Sequence, residues 1–259
     1  MTANGNGAPS TSTAAAIPPE VKHQVKASIV ALMLSAPPAV RAQLSEALAV
    51  IGKYDFPSRW PELLPDLVAR LQSANSAAAA EAAAAAQASP SCPAASAAPA
   101  PSLAATHGVL ATANAICKRY RGAFMTDSLS AELEYSQRLA GPLLDSLRCA
   151  LGRARAFTRA ARAARAGSQA ALFSPEDAAA AARAADGALD SARLACRVFL
   201  SLNSPGLTEA FEEALPGWME LLLAALTVED PDESVGEDAG AGAGGGVHFA
   251  DVTAARAAV

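Results

Sequence analysis

Between Val40 and Leu71, large apolar residues recur at helical spacing in two runs separated by a short, proline-marked turn. Val40, Leu44, Leu48 and Ile51 fall on one face of the first run. Leu63, Leu64, Leu67, Val68 and Leu71 form the corresponding face of the second, with Glu62, Asp66 and Arg70 as a polar stripe on the other side. Gly52 offers the first helix a left-handed stop, and the spacing predicts that it ends there. The turn Lys53-Tyr54-Asp55-Phe56-Pro57 is short, so the second helix must fold back on the first. Trp60 is held extended by Pro61, which is expected to open the second helix where its missing amide costs nothing. Pro65, at about the fifth helical position, predicts a lost hydrogen bond and a kink. Two amphipathic helices joined in this way make an αα-hairpin with an apolar face that only neighbouring helices can bury.

The rest of the chain supplies such neighbours. A first helix is expected from about Pro18 to Ser35, with Val25, Ile29, Leu32 and Met33 on its apolar side. Residues 103–120 carry Val109, Leu110, Ala113 and Ile116 inward and end in the basic block Lys118-Arg119-Tyr120-Arg121, which suits a helix C-terminus. Residues 129–151 form a further helix, interrupted near Gly141-Pro142. Ser174-Pro175-Glu176-Asp177 is an N-terminal signature for a helix running to Leu202, and Asn203-Ser204-Pro205-Gly206 breaks it. The last strong helix, 207–227, places Phe211, Leu215, Trp218, Leu222 and Leu223 at core spacing.

Between these segments the composition changes. The sequence divides into a disordered head at 1–17, helices at 18–73, an alanine, serine and proline insertion at 74–102 and a helix pair at 103–151. An arginine and alanine insertion at 152–174, a helix pair at 175–228, an acidic glycine-rich linker at 229–247 and the start of another helix at 248–259 complete it. Both insertions are expected to leave the surface as segments with nothing to pack against. One unpaired helix and three pairs, repeating every 35–50 residues or so, predict an all-α chain: an α-α superhelix, or solenoid, of stacked HEAT-type pairs. Neither end shows the polar face that caps a solenoid, so the chain reads as a piece of a longer array.

Several function classes are disfavoured. The net charge is −5, which gives no electrostatic case for nucleic-acid binding by the whole chain. The apolar runs Ser28–Ala36 and Leu221–Ala225 are far too short for a membrane span. Cys92, Cys117, Cys149 and Cys196 lie far apart without a C-x-x-C pair, and His23, His107 and His248 are isolated, so neither a metal site nor a cofactor is expected. No phosphate loop, nucleophile elbow or kinase signature is present, and no enzyme is predicted. Arg153, Arg155, Arg159, Arg162 and Arg165 could hold RNA or an acidic partner, although a solvated helix is the simpler reading.

Four blocks carry a more specific signal: ASIVALMLSAP with QLSEALAVIGKYDFPSRWPELLPDLVARLQS, HGVLATANAICKRYRGAF at His107–Phe124, SLNSPGLTEAFEEALPGWM at Ser201–Met219, and LTVEDPDES at Leu226–Ser234. Together, in this order, they resemble the importin-α re-exporters of the importin-β superfamily. The core I-G-x-x-D-F-P-x-x-W-P, with Asp55, Phe56, Pro57, Trp60 and Pro61, marks the superfamily. Lys118, Arg119, Tyr120 and Arg121, and the block holding Phe211 and Trp218, narrow it to the re-exporters. The resemblance implies a transport receptor without enzymatic activity that binds importin-α together with the GTP form of the small GTPase Ran. It further implies passage past nuclear pore components between nucleus and cytoplasm. In such receptors the second helices of the pairs face the partners, here 59–71, 129–151 and 207–227, which makes Glu62, Asp66 and Arg70 the candidate contacts. The family's first repeats are expected to be missing, and the chain alone is expected to bind Ran-GTP weakly. A HEAT-type adaptor without transport activity is the alternative.

Overall fold

The computed structural model describes residues 17–87, 101–165 and 175–226. Every regular element among them is helical: α1 (Pro19–Ser35), α2 (Pro38–Asp55), α3 (Leu63–Gln87), α4 (Pro101–Cys117), α5 (Asp127–Ser136), α6 (Ala140–Arg165), α7 (Pro175–Asn203) and α8 (Glu209–Leu226). Short 3-10 turns at Lys118–Tyr120 and Gln137–Leu139 join α4 towards α5 and α5 to α6. The head, Cys92, Ser174, the acidic linker and the expected helix start at 248–259 lie outside the described residues.

The helices stack in two layers. The first helices of the pairs, α2, α4 and α7, touch in succession, as do the second helices, α3, α6 and α8. The layers are joined where α3 meets α4 and where α6 meets α7, while α1 lies against α2 and α4. The middle of each apolar stripe read from the sequence is buried: Met33, Leu48, Leu67, Leu71, Leu110 and Leu143 are all fully enclosed. Val25, Leu32, Val40 and Leu223, expected to point inward, are exposed, because α1, α2 and α8 have neighbours on fewer sides than the helices between them. One core runs continuously from Ile29 to Trp218, since each helix offers an apolar face to the next. This is an α-α solenoid.

Several local expectations change. Gly52 does not stop its helix; α2 continues to Asp55, and the left-handed glycine is Gly122, with φ 72°. Pro61 sits in the turn before α3 rather than at its first position, because the amides of Leu63 and Asp66 reach back to the carbonyls of Trp60 and Glu62. Pro65 therefore falls in the first turn of α3, where a backbone N–H would have no intrahelical acceptor to lose, and the predicted kink loses its cause. A proline does lie inside α8, Pro216 on its exposed side, without breaking the helix, and Gly217 next to it lets α8 approach α6: a Cβ there would lie 3.0 Å from Leu144 Cδ2.

The two expected insertions differ most. α3 passes through Ser73, the expected boundary, without a break and runs on to Gln87, burying Ala74 and Ala78. Within this stretch Asn75 donates to the Pro142 carbonyl at 3.0 Å and accepts from Ser146 Oγ at 3.0 Å, and Glu81 pairs with Arg153 and Ser102. α6 likewise runs on through the expected arginine insertion to Arg165, with Ala154 and Ala161 fully buried. It lies along α7, which buries Ala185, Ala188 and Ala195. Small side chains let two helix backbones come close, so these alanine-rich faces pack against each other along their length. The remainders of both expected insertions, 88–100 and 166–174, lie outside the described residues.

Candidate functional site

The turn between α2 and α3 is held from α1. Lys26 Nζ lies 2.7 Å from Asp55 Oδ2, donates to the Arg59 carbonyl at 2.8 Å, and sits 5.6 Å from the centre of the Trp60 ring. Lys26 and Asp55 are both largely buried, so the pair is little screened by water. Phe56 and Trp60 are buried beneath the turn, and the Phe56–Pro57 peptide is cis. The turn motif thus anchors one helix pair to the helix before it.

Beside this anchor, α1 and α3 border a cleft of about 610 Å³. Lys22, His23 and Lys26 line it from α1, Asp66 and Arg70 from α3, Arg59 and Glu62 from the turn before α3, and Trp60 and Leu63 form its apolar part. All three candidate contacts therefore share one surface. Arg70 Nε donates to both carboxylate oxygens of Asp66, at 3.0 and 2.8 Å, one helical turn apart. Glu62 is exposed. The α1 side of the cleft is basic, and the opposite side carries two carboxylates and two guanidinium groups, Arg59 and Arg70, which suits a protein surface of mixed charge.

The basic block after α4 works differently. Arg119 donates to the Gly52 carbonyl at 2.8 Å, to Tyr120 Oη at 2.9 Å and to Glu132 Oε2 at 2.7 Å, and its guanidinium stacks 4.8 Å from the Tyr120 ring centre. Lys118 reaches Glu46 on α2 at 2.9 Å. Arg121 donates to Ser201 Oγ at 2.7 Å and to the Arg197 carbonyl at 3.1 Å, both on α7. The block ties three helices together, and its cations are turned towards this chain. Tyr120 is buried, and that burial holds its hydroxyl well above the usual range. Burial likewise pushes the Cys117 thiol up to about 12, so it remains protonated and unreactive at neutral pH.

Phe211 and Trp218 pack on Phe199, with ring centres 5.7 and 4.2 Å away, and both are enclosed. They fasten α8 to α7. Among the described residues no group of three His, Cys, Asp or Glu side chains could hold a metal ion, and no helix is long and apolar enough to cross a membrane. Sequence reading missed Lys26, Glu132 and Ser201, whose roles depend on partners far away in the chain.

No family model matches the chain. Exportin-2 of Drosophila melanogaster is 30% identical over 222 residues, covering 85% of this chain and 18% of that protein. Exportin-2 of Homo sapiens is 30% identical over 207 residues, covering 80% of this chain and 16% of its own length. A solved structure, "The exportin Cse1 in its cargo-free, cytoplasmic state", superposes with a TM-score of 0.59 at 22% identity, covering 83% of this chain and 18% of that one. The chain thus spans less than a fifth of the length of these relatives. Along that span the chain is homologous to Exportin-2, and its fold is the helical-repeat fold of the exportin Cse1.

Proposed function

We propose that this chain serves as one section of a nuclear transport receptor that carries importin-α out of the nucleus together with Ran in its GTP form. The observation that carries the reading is 30% identity to Exportin-2 along 85% of the chain. The layer of second helices supports it, because α3, α6 and α8 lie side by side, and Glu62, Asp66 and Arg70 border the charged cleft. A long stacked surface spreads many weak polar contacts, so two partners that bind together share one conformational cost. Such a receptor shuttles between nucleus and cytoplasm past nuclear pore components.

A chimera tests the reading. The matching section of an Exportin-2 relative is replaced by this chain, and Ran and importin-α are titrated together. The chimera is expected to form the three-component complex with the GTP form and not with the GDP form. Reversing Glu62 and Asp66 to Arg is expected to weaken it about tenfold, on the scale of lost charge pairs at an interface. A folded chimera with no nucleotide-dependent binding would favour the adaptor reading instead. The chain alone is expected to bind Ran-GTP more weakly than micromolar, and a tighter titration would contradict that.

A further inference from the structure

The turn between α7 and α8, residues 204–208, meets the turn that follows α4. Pro205 disfavours a helical backbone at Ser204, so α7 ends at Asn203. Ser204 is exposed, and its Oγ accepts from the Gly122 N–H at 3.5 Å, a long bond that restrains it little. Gly122 is itself exposed and left-handed, with φ 72°. Arg121, just before it, is also exposed and docks on the end of α7: Nε donates to Ser201 Oγ at 2.7 Å and Nη2 to the Arg197 carbonyl at 3.1 Å. Nη2 also reaches Asn114 Oδ1, while Nη1 makes no hydrogen bond among the described residues. An accessible hydroxyl outside any helix thus stands beside a backbone amide and a guanidinium with donors to spare. Ser-Pro pairs begin at Ser89, Ser174 and Ser204, and of these only Ser204 lies among the described residues.

We propose that Ser204 is a phosphorylation site for a proline-directed protein kinase, and that Arg121 and the Gly122 amide hold the phosphate. In the kinase, Ser204 Oγ attacks the γ-phosphorus of ATP, the bond to the bridging oxygen breaks and ADP leaves. The hydroxyl proton passes to the kinase's carboxylate base. The product adds about −1.5 to −2 charges at neutral pH and three strong acceptor oxygens. One oxygen takes the Gly122 N–H, and Nη1 of Arg121 is free to donate to the others without giving up Ser201 or the Arg197 carbonyl. The C-terminal carbonyls of α7 oppose an anion here, but only as a partial charge, whereas Arg121 offers a full one. The modification therefore braces the turn after α4 against the turn between α7 and α8. Ser201, three residues earlier, is buried and already bonded, so it is not an alternative acceptor.

Treating the full, folded chain with a proline-directed kinase and ATP tests the site. Peptide mapping is expected to find phosphate on Ser204, absent from Ser204→Ala and mostly lost in Pro205→Ala. A chain left unmodified at Ser204, while a Ser-Pro peptide in the same tube is converted, overturns the proposal. A second measurement needs no kinase, because phosphoserine can be encoded at position 204 during translation. Its phosphorus NMR resonance is expected to titrate below the usual value of about 6, since the neighbouring guanidinium favours the dianion. Exchange of the Gly122 amide is expected to slow about tenfold, as a charge-assisted bond replaces a weak one. Arg121→Gln is expected to move both readouts back. A titration at the usual value, or one that Arg121→Gln leaves where it was, overturns the assignment of the phosphate to Arg121.

Discussion

Arg119 joins the end of α2, the turn after α4 and α5 through one guanidinium. An ammonium cannot form that fork, so Arg119→Lys is expected to lose most of what Arg119→Ala loses. The pair with Glu132 is partly exposed, which lowers the cost to about 2 kcal/mol. Urea unfolding at an unchanged slope measures it, and full rescue by lysine would contradict the fork. His107 gives a pH prediction. Burial depresses its pKa below 6.5, the nearby charge of Arg41 adds to this, and Asp190 opposes it. The folded state therefore binds the proton less well than the unfolded state. Its contribution is present above about 6.5 and is lost as pH falls towards the depressed folded value. His107→Gln is expected to flatten the fall in stability between neutral and mildly acidic pH, measured by thermal unfolding.

At the scale of helices, α6 and α7 show what alanine can do. Ala154 is fully buried in a satellite core with Leu103 and Ala188. Ala154→Leu has no room there and is expected to cost about 1–3 kcal/mol, read from the shift in a urea unfolding midpoint. The same change at exposed Ala156 or Ala160 should be nearly neutral, and equal effects at all three positions would contradict close packing of α6 on α7. Sequence periodicity marked the helices with large residues, from Leu44 to Trp218, and the turn built on Asp55, Phe56 and Trp60. It passed over Ala74, Ala78, Ala154 and Ala161, because an alanine carries so little apolar surface that a buried face and an exposed one look alike. Asn75, Glu81 and Lys26 were also silent, since each is satisfied by a residue on a different helix or turn, far along the chain.

Across the molecule, α4, α6 and α7 have neighbours in both layers, whereas α1 and α8 are flanked on fewer sides. Val21, Val25 and Leu32 of α1 and Met219, Leu223 and Leu226 of α8 are exposed accordingly. Stability in stacked repeats follows neighbour contacts, so amide hydrogen exchange should be slowest in α4, α6 and α7 and fastest in α1 and α8. Uniform protection along the chain would contradict a stack and indicate one closed core. The sequence by itself determined which segments are helical, where the chain turns and which large side chains form the centre of the stack, because these depend on spacing and on proline within a few residues. Only the tertiary structure decided how far α3 and α6 extend, which charges clamp the layers and where the cleft opens. Those outcomes rest on contacts between helices distant in the chain, and no local pattern encodes them.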